Sequence, residues 1–222
     1  MILETGVAKA GSSITFSAVK QPQRCLHLYD TFEGIPEPSG QDDGKDVHEQ
    51  YRVIQANKQK CVEGKSNCDK NYYGNMEHLM EYDIRQFQEA GYDPNDYNVF
   101  FHKGLFDDTV WPGGPIAYGH LDGDWYDSTL GVLKRVAPYL SIGGYFILDD
   151  VYDYSGAQDA CSDFFDVDYK WLKGEESKEC FTTKDGKHYR LKLDIRGLAQ
   201  VLAKDDPSLP RCVKVAAKGV SL

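Results

Sequence analysis

Two acidic clusters carry the most chemical information in this sequence. Asp122 and Asp124 fall in HLDGDWYDST, and Asp149 and Asp150 close the run GGYFILDD. Each follows a short apolar segment of strand character, which predicts four carboxylates at the ends of neighbouring strands. Hard divalent cations such as Mg²⁺ take oxygen ligands, commonly a few carboxylates completed by water or substrate. Like-charged carboxylates converging on one point are costly unless a cation or a proton relieves them. The pattern therefore points to a metal. The plainer reading, acids solvated in separate turns, leaves their common position at the ligand-binding edge of a sheet unexplained.

A second group lies nearer the amino terminus. ETGVAKAGSS runs from a short strand through glycines into a helix, and at Gly6 and Gly11 the backbone can approach a ligand closely. The spacing is not the GxGxxG of a dinucleotide fold, and a structural turn capped by Ser12 accounts for it equally well. Asp30, in LHLYDTFEG, ends the second strand roughly 20 residues further on, where a carboxylate can accept hydrogen bonds from two ribose hydroxyls. Thr31 and Phe32 would then line an adenosine. His120 precedes Asp122 by two residues, so it projects from the same strand face. It stands beside Asp122 and Asp124 as a candidate proton acceptor, against the simpler reading of a hydrogen-bonded structural histidine. Trp125, Tyr126, Tyr152 and Tyr154 form either an acceptor wall or core packing. Lys103 and Asp108, in HKGLFDDT, shape a loop, and Trp111 and Pro112 read as another.

These residues need a sheet to hold them. Apolar runs at 2–4, 25–29, 98–102, 116–121 and 145–148 alternate with amphipathic stretches at 12–19, 76–90 and 128–139, a βαβ pattern that predicts a doubly wound, mostly parallel α/β sheet. Pro138 and the stretch 141–144 are expected to stop the third helix before the fifth strand. A further helix at 157–165, a run at 169–172, a turn at 184–186 between apolar flanks and a last apolar run at 212–216 predict an antiparallel edge closing the domain. The segment 34–73 is polar and rich in Gly, Pro, Asn, Lys and Asp; it reads as a long loop, with an insertion at about 41–73.

The 222 residues, 41% hydrophobic, suit a single domain over 1–222. A net charge of -10 and no basic stripe argue against nucleic acid as a partner. No apolar run is long enough to span a bilayer and no signal peptide is visible, so no membrane partner and a cytoplasmic location are expected. Cys61 and Cys68 are close enough in sequence for a disulfide in an oxidising compartment; without other signs of secretion, free thiols are the expectation. Ile2 and Leu3 already read as strand interior, which suggests that the natural chain starts further upstream.

The runs ETGVAKAGSS, YDTFEGIPEP, HKGLFDDT, HLDGDWYDST and LDD, in this order and spacing, resemble the macrocin O-methyltransferase family of sugar-hydroxyl methylases. The resemblance covers about 2–165 apart from the insertion. That family is similar to the metal-dependent catechol O-methyltransferases. The resemblance implies a Rossmann-like class I methyltransferase fold, S-adenosylmethionine as donor, Mg²⁺ as the ion and a small-molecule hydroxyl as acceptor; the sequence does not set the oligomeric state, for which a homodimer is one expectation. It implies Glu4, Gly6 and Ser12 on the methionine part of the donor, with Thr5, Gly11 and Ser13 in the same donor-binding group. Asp30 falls on the ribose, and Asp122, Asp149 and Asp150 on the metal. Asp124 is the alternative first ligand. The family's helices ahead of the first strand are not represented, and the insertion and the region after Lys170 have no counterpart in it, so the acceptor cannot be transferred. A nucleotide-linked oxidoreductase and a non-catalytic nucleoside-binding protein are the rival readings. The first predicts a tighter glycine fingerprint and gives no reason for four clustered acids.

Overall fold

The computed structural model describes residues 1–42, 45–55, 78–111 and 113–165, and the backbone of strands at 180–182, 188–193 and 200–204. Their strands are β1 (Ile2–Thr5), β2 (Leu26–Asp30), β3 (Val99–Lys103), β4 (Ile116–Leu121), β5 (Leu140–Leu148), β6 (Cys180–Thr182), β7 (His188–Leu193) and β8 (Gln200–Lys204). They form one sheet in the order β3-β2-β1-β4-β5-β8-β7-β6. The first five are parallel neighbours; β8, β7 and β6 add the antiparallel edge. Strand order reverses between β1 and β4, the switch point at which open α/β sheets take their ligands.

Side-chain alternation divides the core in two. Ile2, Leu26 and Leu28 face one side, where Leu79 and Phe87 of α3 (Leu79–Glu89) pack on them. Leu3, Tyr29, Phe146 and Leu148 face the other, against Val132, Leu133 and Val136 of α5 (Tyr126–Val136) and Cys161 and Phe165 of α6 (Ser155–Phe165). Successive strand residues point to opposite faces, so β1 is buried along its whole length, with Ile2 serving one layer, Leu3 the other, and Glu4 and Thr5 also enclosed. α1 (Gly11–Val19) connects β1 to β2.

Three local expectations are corrected. The segment read as a polar loop contains α2 (Lys45–Gln55), whose Val47 and Ile54 are buried and lie seven residues, two helical turns, apart. α5 starts at Tyr126 and gives way after Val136 to a 3-10 turn, Ala137–Tyr139, that holds Pro138. β5 begins at Leu140 rather than 145: Gly143, at φ 73°, and Gly144 are absorbed as an irregularity in the pairing with β8 between Ile142 and Tyr145. The short helix α4 (Phe106–Thr109) and a 3-10 turn at Asp150–Tyr152 had no sequence signal.

The antiparallel edge agrees with expectation in β6, β7 and β8. The runs at 169–172 and 212–216, the turn at 184–186, most of the insertion, Cys61, Cys68, Pro112 and the Tyr152 side chain lie outside the described residues. Among the described residues, Cys25 and Cys161 are free thiols, and no helix is long and apolar enough to cross a membrane.

Candidate active site

A cavity of about 720 Å³ opens beyond the carboxyl ends of β1, β2, β4 and β5. Gly6 and Ala8 line it after β1, Asp30 and Thr31 after β2, Asp122 to Trp125 after β4, and Asp149 and Asp150 after β5. The backbone around it is unusual. Ala8 (φ 46°), Ala10 (58°), Phe32 (51°) and Asp124 (55°) all hold left-handed conformations that cost a residue with a Cβ about 1 kcal/mol or more each. Such strain persists only where surrounding contacts fix it, and it concentrates at functional sites.

Gly6 is required by a close approach. At φ 78° a Cβ there would lie 2.2 Å from the backbone oxygen of Asp122, so glycine alone lets the β1 turn meet the β4 turn. Gly11, the other expected glycine, differs: it opens α1, and a Cβ would meet nothing within 4 Å.

Asp30 organises the β1 turn. Its Oδ2 accepts hydrogen bonds from the amides of Val7 (2.7 Å) and Ala8 (3.1 Å), and its Oδ1 from the amide of Phe32 (2.7 Å). A carboxylate offers about four acceptor directions, so these bonds hold Asp30 at the cavity wall without exhausting it. Thr31 lines the cavity, but Phe32 does not: it is buried in the α3-side core near Phe101, which corrects its expected place against an adenosine.

Glu4 is fully buried and forms a hub. Oε1 accepts from Ser12 Oγ at 2.5 Å and lies 2.9 Å from His120 Nδ1, while Oε2 accepts from Ser13 Oγ. His120 Nε2 faces Asp149 Oδ1 at 3.8 Å. Burial by itself would lower the imidazole pKa, but the hydrogen bonds with Asp149 and Glu4 overcome it and hold it up at about 9. His120, expected as a candidate base, stands between Glu4 and Asp149 and so bridges the hub and the metal acids. Glu4, Thr5, Gly11, Ser12 and Ser13 are not among the residues that line the cavity.

The acids converge as their spacing predicted. Ligand atoms of Asp122, Asp124 and Asp150 lie within 4.8 Å of one another, and so do those of His120, Asp122 and Asp149. Asp122 belongs to both groups. The expected ligands Asp122, Asp149 and Asp150 are thus divided between two groups that meet at Asp122. Asp150 Oδ2 accepts from the amide of Asp124 at 2.8 Å. Burial, then the charges of the neighbouring carboxylates led by Asp150, raises the pKa of Asp122 and Asp124 well above the usual range; burial raises that of Asp150 as well. This is the electrostatic signature of a site that a divalent cation would relieve.

Sequence reasoning missed the strap over the cavity. Residues 34–39 form one wall, pinned by Trp125 Nε1 donating to Pro36 O (2.8 Å). Asp42, wholly buried, accepts from the amide of Tyr126, the first residue of α5, at 2.9 Å, and from the amide (2.9 Å) and hydroxyl (3.1 Å) of Ser39. A carboxylate at a helix start is well placed against its free amides. Nothing in the polar run around Asp42 signalled a partner 84 residues away. Of the aromatic residues, Trp125 and Tyr154 line the cavity with ring centroids 5.2 Å apart, whereas Tyr126 turns away to donate to Asp163 (2.6 Å). Lys103, expected to shape a loop, pairs with Glu33 at 2.6 Å at the foot of the strap.

A family profile described as Macrocin-O-methyltransferase (TylF) matches residues 70–169. The chain is also 33% identical, over 73% of its length and 57% of the relative's, to 8-demethyl-8-(2,3-dimethoxy-alpha-L-rhamnosyl)-tetracenomycin-C 4'-O-methyltransferase of Streptomyces olivaceus. This chain is similar to the macrocin O-methyltransferase family. It is 30% identical, over 75% of its length and 59% of the relative's, to demethyldecarbamoylnovobiocin O-methyltransferase of Streptomyces niveus. The chain therefore spans less than two thirds of the length of these two family relatives. Solved structures of the O-methyltransferase NovP (TM-score 0.60, 23% identity) and the calicheamicin methyltransferase CalS11 (0.58, 19%) each align over 92% of this chain and 72% of their own. They share its class I, Rossmann-like methyltransferase fold.

Proposed function

We propose that this macrocin O-methyltransferase relative transfers a methyl group from S-adenosylmethionine to a hydroxyl of a small molecule, with Mg²⁺ held by Asp122, Asp149 and Asp150. The observation that carries this reading is the convergence of buried, charge-strained carboxylates around Asp122, beside a cavity whose other wall presents Asp30. The similarity to the macrocin O-methyltransferase family supports the donor. The donor set, all oxygen and acidic, fits a hard cation. When bound, Mg²⁺ orients an acceptor hydroxyl and lowers its pKa.

The residues of the chain then have distinct tasks. Asp30 accepts hydrogen bonds from the ribose while keeping the β1 turn in place, and the Gly6 turn admits the donor close to the backbone. The acceptor oxygen forms its bond to the methyl carbon as the carbon–sulfur bond breaks; sulfur keeps the electron pair and becomes a neutral thioether. Asp124, whose raised pKa a bound cation would lower, would take the hydroxyl proton. His120, held by Glu4 on its other side, keeps Asp149 in position. Trp125 and Tyr154 wall the acceptor and exclude water, so that alignment rather than strong chemistry supplies most of the rate.

Calorimetric titration with S-adenosylhomocysteine and Mg²⁺ tests this reading. Both should bind; Asp30→Ala should abolish the nucleoside heat and Asp149→Ala the Mg²⁺ heat alone. Loss of neither signal in its variant would overturn the assignment.

A further inference from the structure

Three consecutive residues after β4 each send a hydrogen bond in a different direction. The amide of Asp124 donates to Asp150 Oδ2 at 2.8 Å, the indole of Trp125 to Pro36 O at 2.8 Å and the amide of Tyr126 to Asp42 Oδ1 at 2.9 Å. The first bond ties the acids after β4 to those after β5; the other two hold the strap. The same turn is fixed at its near end, where the Asp122 amide donates to Thr5 O at 3.1 Å. One short turn therefore carries both the metal acids and a wall of the cavity.

Asp42 sits where these parts meet. Both of its carboxyl oxygens are engaged, Oδ1 by Tyr126 and Oδ2 by the amide and hydroxyl of Ser39. A carboxylate withdrawn from water is costly unless hydrogen bonds hold it, and Asp42 is wholly buried with three of them. It lies between the start of α5 and Gly156 of α6. Each of those helices follows a loop of metal acids, 122–124 before α5 and 149–150 before α6. Asp124, two residues from the amide that Asp42 receives, holds φ 55°, a conformation that persists only where neighbours fix it.

We infer that Asp42 is a positioning residue for the metal site: by accepting from the Tyr126 amide it keeps the turn 122–126 in the conformation that brings Asp122 and Asp124 to Asp150, so that the strap and the cation site order each other. Such coupling is reciprocal, because a seated strap that tightens the cation site must itself be tightened by the cation. The inference rests on the metal-assisted methyltransferase reading for the identity of the ion.

Two readouts on the full chain test it, and neither needs turnover. Hydrogen exchange followed by mass spectrometry over 34–42 and 125–130 should slow on saturation with Mg²⁺, since the amides of Ser39 and Tyr126 are donors to Asp42. Calorimetric titration with Mg²⁺ should show affinity weakened about fivefold or more in Asp42→Ala. Asp42→Asn, which loses the charge but keeps an acceptor for the Tyr126 amide, should stay near the parent. Exchange over the strap unchanged by Mg²⁺, parent affinity in Asp42→Ala, or equal losses in the two variants, which would make charge the cause, would each overturn the inference. The exchange measurement uses the parent chain, so it decides the matter even if Asp42→Ala does not fold. Mg²⁺ heat in the parent with unaltered strap exchange defeats this inference and leaves the methyltransferase reading standing; no Mg²⁺ heat in the parent defeats both.

Discussion

Gly156 gives Asp42 its place: a Cβ at residue 156 would lie 1.8 Å from Asp42 Oδ1 and 2.9 Å from the Tyr126 amide which that oxygen receives. One glycine of α6 thus lets a carboxylate of the strap reach the start of α5. Gly156→Ala should force the carboxylate out and destabilise the chain by about 1–3 kcal/mol. Asp42→Ala should cost a similar amount, about 1–3 kcal/mol, by leaving buried amides without an acceptor. Urea unfolding of both single variants and the double variant checks this: the double should lose little more than either single, because both break one contact.

The two glycines of the β1 turn should behave in opposite ways. Gly6→Ala places a Cβ against the Asp122 backbone at a positive φ, and a loss of about 3 kcal/mol or more is expected. Gly11→Ala meets open space within a helix, and should stabilise by about 0.5 kcal/mol. Equilibrium denaturation of the pair reads the contrast directly.

Asp83 on α3 is wholly buried and neither carboxyl oxygen has a hydrogen-bond partner. Burial first, then the charges of Asp30 and Glu4, push its pKa up to about 8 against the opposing pull of Lys9. The folded state therefore holds a proton that the unfolded state releases from about pH 4 upward, so stability should fall as pH rises through that window to about 8. Asp83→Asn should remove this slope and be the more stable protein above pH 8. Urea midpoints measured from pH 5 to 9 on both proteins decide it; parallel profiles would mean that Asp83 is already ionised in the fold.

Mutual repulsion among Asp122, Asp124 and Asp150 makes stability a reporter of the metal. Saturating Mg²⁺ at about a hundred times its dissociation constant should add about 2.7 kcal/mol to the unfolding free energy. Asp122→Asn should equal or exceed the parent in stability with chelator present, because it relieves like charge, and should gain nothing from Mg²⁺. Thermal melts with and without the ion give the comparison, and a variant that still responds to Mg²⁺ would move the ion away from Asp122.

Much of this architecture was legible along the chain because the signals are local. Apolar runs of period two or unbroken character ended in Asp30, Asp122 and Asp149, and strand ends in a parallel sheet fall on one edge by construction. That placed the acids and the β1 turn before any coordinates. The family resemblance rests on the same short runs. What the runs could not encode is where a side chain goes once neighbours compete for it. Phe32 sits beside cavity residues in sequence but turns into the core, since a positive φ at that residue redirects it. His120 meets Glu4, 116 residues away in the chain, only because the fold packs the two together. Gly11 carries no backbone demand, and Ala8 and Ala10 take the left-handed turns a reader assigns to glycine. Asp42 and α2 lie in a segment whose composition reads as loop. Sequence determined which chemistry could assemble, through periodicity and strand ends; the tertiary structure decided which groups share a proton, a partner or a cavity. Those are set by distances between residues far apart in the chain and by how thoroughly packing removes water from them.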